Sequence, residues 1–159
     1  MEGSQPPPAP RRASPFGTRE AYAPPTVLAI GGTLTWLSGL VLALSSLMGW
    51  YVGTDSGITL SVIGWHTGPL GKLVFAIGAV VVLIEVVREL FGMQLPPAIP
   101  ESLVVIALGA LSTIFVLIRL FSIPDQFLPA SGRGIGIYIS LLASLGVIAA
   151  GLLRATEEL

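Results

Sequence analysis

Cysteine is absent from all 159 residues, which excludes disulfides, thiolate metal ligands, cysteine nucleophiles and palmitoylation together. Histidine occurs once, as His66. With only Asp55 near it in sequence, it falls short of the three or four converging donors a zinc site needs, so it reads as an ordinary loop histidine. Charge is scarce as well: charged residues make up 11% of the chain, against about 25% in an average soluble protein. The net charge of −1 leaves no broad basic face to hold nucleic acid. Lysine is nearly missing too, Lys72 standing alone against seven arginines. That bias, with abundant Ala, Gly and Pro, suits a GC-rich bacterial genome.

What fills the space is apolar. Hydrophobic residues reach 53% and the mean hydropathy is +0.85. They fall in four runs, about 26–48, 69–90, 101–122 and 134–153, each of 20 to 23 residues. A helix needs ~20 residues to cross ~30 Å of hydrocarbon, so the pattern predicts an all-α membrane protein, a bundle of four transmembrane helices. Pro69 and Pro100 stand where a first helical turn tolerates proline, and Glu101 suits the positive end of the third helix. No proline interrupts a run. Residues 1–25 hold seven prolines and three arginines and read as a disordered cytosolic tail; residues 155–159 form a short C-terminal tail. Arg11-Arg12 resembles a twin-arginine signal, but the polar gap, Pro15 and the long following helix argue against cleavage.

Orientation follows the positive-inside rule. Arg11, Arg12, Arg19, Arg88 and Arg154 fall on one side of the predicted spans, and Lys72, Arg119 and Arg133 on the other. Both termini are therefore expected in the cytoplasm of a cell (inner or plasma) membrane. The first outer loop contains Trp50–Val52, a Gly53–Gly57 turn and the alternating stretch Ile58–Val62, which predicts a small β-hairpin on the membrane surface. The second, 123–133, has room for a turn or a half-buried flap. Trp50, Tyr51 and Trp65 are candidate interfacial anchors, as are Lys72 and Arg119, whose depth of about 5–8 Å is within snorkelling reach.

Two stripes of small residues are candidates for close helix packing: Gly31, Thr35, Gly39 and Ala43 on the first helix, and Gly132, Gly136, Ser140 and Ser144 on the fourth. They fit packing inside the bundle or, alternatively, an outward dimer or partner interface. Glu85, with Arg88 at i+3, is the candidate intramembrane polar site, either facing a cavity or snorkelling. The run GRGIG at 132–136 lacks phosphate-loop spacing. Arg11-Arg12-Ala13-Ser14 fits a basic-directed phosphorylation site only by a short pattern, and the PPPAP run of the tail could dock a partner as polyproline II.

The Pro-rich tail, the Trp50-Tyr51 pair closing the first helix, the Gly/Ser/Thr outer loop and GIGIYISLLASLGVIAAG in the last helix resemble, in layout, uncharacterised small bacterial four-helix membrane proteins. Claudin-like proteins share four helices and a β-rich first loop, but their paired outer-loop cysteines are missing here. No catalytic, cofactor or metal residue is implied by either resemblance. The expected function is a structural or interaction protein, or an accessory subunit of a membrane complex, with the bilayer, a membrane-protein partner or a second copy as neighbours. A small transporter or channel is the alternative. An enzyme is not expected, since no His/Asp/Glu cluster or activated nucleophile is present.

Overall fold

A computed structural model describes residues 25–55, 57–92, 99–122 and 130–158. The expected tail therefore lies outside the described residues except at Pro25, as does most of the second outer loop. The described chain runs α1 (Pro25–Ser45), β1 (Gly49–Asp55), β2 (Ile58–Ile63), a 3-10 turn (Gly64–His66), α2 (Pro69–Phe91), α3 (Glu101–Phe121), β3 (Ala130–Arg133) and α4 (Ile135–Glu158). α1 packs on α2 and α4, and α3 packs on α4 and less extensively on α2. Three helices are long and apolar enough to cross a membrane: α2, α3 and the Ile135–Thr156 part of α4. Length and composition thus mark a membrane protein. The sequence predicts four spans; the apolar part of α1, Ile30–Ser45, is shorter than the other three.

Local chemistry explains the boundaries. Pro69 opens α2 at a position where its missing N–H is no loss, and Gly92 closes it in the left-handed region, φ 59°, with its N–H on the Arg88 carbonyl. Pro100 precedes α3 in extended backbone, and Glu101 occupies its first turn. α1 stops at Ser45, three residues before the expected Met48. The hydroxyls of Ser45 and Ser46 bond back to the carbonyls of Leu42 and Ala43, and the Trp50 indole N–H takes the Ser45 carbonyl at 2.9 Å. Those carbonyls are satisfied without another helical turn. α4 runs beyond 153 to Glu158 because no Gly or Pro follows to break it.

The hairpin extends further than expected, over Gly49–Asp55 and Ile58–Ile63, and it gains a third strand. The sheet order is β2-β1-β3, all antiparallel. β3 occupies the last four residues of the second outer loop, whose expected turn or flap otherwise lies outside the described residues, and contains Gly132, which is thus a strand residue paired with Val52 and not part of the α4 stripe. A register shift between Gly49 and Tyr51 bulges the chain at Trp50. Trp50 is fully buried and Tyr51 nearly so, which corrects their reading as interfacial anchors: the bulge turns them into the core with Leu42, Val74, Val81, Val105, Val116, Ile137 and Val147.

Small residues sit at the helix crossings. A Cβ on Gly39 would lie 2.8 Å from Val81 Cγ1, and one on Gly78 would lie 2.6 Å from the backbone N of Ala43, so α1 and α2 approach backbone to backbone there. Thr35 bonds the Gly31 carbonyl at 2.8 Å and is buried. On α4, Gly136 lies against Gly49 and Met48, Ser140 bonds Ser45 of α1 at 2.7 Å, and Ser144 accepts from Thr113 of α3 at 3.0 Å. Gly39 and Ala43 therefore face α2, Ser140 faces α1, Ser144 faces α3 and Gly136 faces the entrance to β1, all within the same chain.

Candidate functional site

Up-and-down connectivity brings the end of α2, the start of α3 and the end of α4 together, at the end of the bundle away from the sheet. Four charged side chains meet there. Arg154 of α4 is 3% exposed and Glu85 of α2 also 3%. The Arg154 guanidinium contacts the Glu85 carboxylate through Nη2, and through Nη1 donates to Glu101 Oε1 at 2.8 Å. Arg88, 41% exposed at its side chain, reaches the same Glu101 oxygen at 3.8 Å. Two acids and two bases thus form one chain across three helices, Glu85–Arg154–Glu101–Arg88.

This arrangement corrects the sequence reading of Glu85 and Arg88 as an i,i+3 pair. Both residues take part, but each finds its partner on another helix. Arg154, expected at the mouth of the C-terminal tail, is the hub, and Glu101 does more than complement the helix dipole. Each of the four was visible as a charge beside an apolar run. The missing signal was adjacency: antiparallel helices place 85, 88, 101 and 154 at one level, and a hub must be a planar multi-donor group such as guanidinium.

Electrostatics favours keeping the cluster intact. Moving a lone charge out of water carries a penalty of several kcal/mol, whereas opposed charges with hydrogen bonds offset it. Each buried carboxylate here is answered by Arg154. Chemically the cluster can bind helices together; proton exchange would require a further titratable relay, and among the described residues no group of three or more His, Asp or Glu is placed to hold a metal ion.

The opposite end carries the remaining predicted residues. The Tyr51 hydroxyl donates to the Arg119 carbonyl at 2.7 Å. Burial raises the Tyr51 pKa above its ordinary value, while the positive charges of Arg119 and Arg133 pull the other way. The Arg119 guanidinium lies against Gly68, where φ is 112° and a Cβ would come within 2.6 Å of Nη2, so glycine leaves the room it needs. Arg133 donates from Nε to the Leu120 carbonyl at 2.6 Å. Trp65 meets Phe75 edge-on, ring centroids 5.2 Å apart, and the exposed Lys72 places Nζ 5.7 Å from the Trp65 ring centre. His66 is exposed in the 3-10 turn.

Comparison of the chain with family models, curated proteins and solved structures returns no match.

Proposed function

We propose that the chain is a four-span membrane protein with a structural or interaction role, such as an accessory subunit of a membrane complex, and that it is not an enzyme. In this reading α1 is the fourth span. Its 21 residues, Pro25–Ser45, suit a length of ~20 for a crossing, and it packs between α2 and α4 in the bundle. The charged end then faces the cytoplasm of a cell (inner or plasma) membrane with both termini, and the sheet faces outward. Arg88 and Arg154 lie at the charged end, and counting Arg11, Arg12 and Arg19, which precede α1 in sequence, that side holds five basic residues against Lys72, Arg119 and Arg133 at the sheet end, which supports the orientation by the positive-inside rule.

One observation carries the functional reading: Glu85, the buried acid closest to the membrane interior, is engaged by Arg154 within the same chain. A carboxylate held by an internal guanidinium ties helices together. Ion and proton pathways instead use midplane polar sites and broken helices, and α2 and α3 run unbroken. Extraction in a gentle detergent, followed by purification of the tagged full chain, tests the reading. A defined partner, or a second copy, is expected to co-purify; a solitary monomer in every gentle detergent would contradict it.

A small transporter or channel is favoured by one feature, the burial of Glu85 between helices. Liposome flux measurements separate the two readings. Flux that is present in the native chain and lost in Glu85→Gln would support transport; no flux above protein-free vesicles supports the structural role.

A further inference from the structure

The face of the sheet that carries Tyr51 and Val62 rests on the bundle: Tyr51 bonds the end of α3, and Val62 packs against the buried core. Directly paired residues of an antiparallel ladder point to the same face. Tyr51 pairs with Val62, Gly53 with Leu60 and Asp55 with Ile58, so Leu60 and Ile58 belong to that same bundle-facing side. Yet Leu60 is 48% exposed and Ile58 63%. The hairpin therefore runs past the edge of the bundle, and its underside there presents Ile58 and Leu60, with Asp55 at the turn end of the same side. The opposite face carries Thr54, Thr59 and Ser61.

What lies beneath the overhang is fixed by what surrounds the helices. Their outward flanks are apolar, with Leu73, Leu83, Ile114 and Ile118 all exposed. The sheet sits at the ends of these helices, at the level where a bilayer would meet water. The exposed Lys72 beside Trp65, at the start of α2, is the cation–aromatic combination suited to that level.

We propose that the underside of the β1–β2 hairpin docks on the lipid bilayer, with Ile58 and Leu60 inserted at the boundary between headgroups and acyl chains. Trp50 and Tyr51 close the core, and Ile58 and Leu60 make the lipid contact. This rests on the reading of the helices as membrane spans.

The absence of native cysteine makes a direct test available. Full-length variants Ile58→Cys, Leu60→Cys, Thr59→Cys and Ser61→Cys are labelled with an environment-sensitive fluorophore. They are then reconstituted in phosphatidylcholine vesicles bearing a nitroxide near the glycerol end of the acyl chain. Quenching at 58 and 60 is expected to exceed that at 59 and 61 by about twofold or more, as for an amphipathic element lying in the interface. Equal or reversed quenching would overturn the proposal. So would labels at 58 and 60 that neither a lipid-borne nitroxide nor an aqueous quencher reaches, because another protein surface then covers them. Leu83→Cys, exposed in α2, separates the two readings: if acyl-chain nitroxides quench it while 58 and 60 are untouched, the docking proposal alone fails. If it is not quenched, the spanning reading fails and the docking proposal with it.

Discussion

The two ends of this bundle are closed by different means. At one end a three-stranded sheet lies across the helices, and its polar side chains find backbone partners: the buried Trp50 Nε1 on Ser45, Tyr51 on Arg119 and the exposed Arg133 on Leu120. At the other, side-chain charges on three helices close on one guanidinium. The difference is one of tolerance. A backbone carbonyl that loses a neutral donor is left with the desolvation penalty of one polar group, about 1–3 kcal/mol. A buried carboxylate that loses its cation is left as an uncompensated charge, at about 3–5 kcal/mol. The charged end should therefore be the more brittle.

The sharpest way to break this contrast is Arg154→Ala. It removes the hub and leaves Glu85 and Glu101 facing each other, and the expected loss is about 3–5 kcal/mol in unfolding free energy, read by detergent-driven denaturation in mixed micelles. A loss no larger than that of the sheet-end variants would erase the distinction. Trp50→Phe keeps an aromatic ring in the core but takes the donor from the Ser45 carbonyl; a loss of about 1–3 kcal/mol is expected by the same measurement. Arg88→Ala probes the rim of the charged cluster. Its side chain is 41% exposed and its contact with Glu101 spans 3.8 Å, so an effect of about 0–1 kcal/mol is expected. A large effect there would mean that the cluster is organised around Arg88 and not around Arg154.

How much of this was legible in the sequence depends on whether the signal is local. Pro69, Gly92, Pro100 and Glu101 mark the ends of α2 and α3 with local chemistry, and the observed bounds, Pro69–Phe91 and Glu101–Phe121, lie within a residue of the apolar runs. The hairpin was legible from the alternation of Ile58, Leu60 and Val62. β3 was not, because Ala130–Arg133 has no strand pattern of its own and forms by pairing with β1. Trp50 was misplaced for a related reason. A tryptophan at the end of an apolar helix fits an interfacial anchor, and only the bulge in β1 turns it inward. The charged cluster was half legible: Glu85 stood out as an acid in an apolar run, but its partner lies 69 positions away in sequence and becomes a neighbour only once the helices are folded against one another.

The most direct test of the central claim, that Glu85 and Arg154 act as one structural tie across helices, is a double-mutant cycle in the full chain. Unfolding free energies are measured for Glu85→Gln, Arg154→Gln and the double variant. For a true tie we expect a coupling energy of about 0.5–3 kcal/mol, with the double variant less damaged than the sum of the singles. Single effects that add within about 0.5 kcal/mol would contradict it, and would free Glu85 for the transport reading.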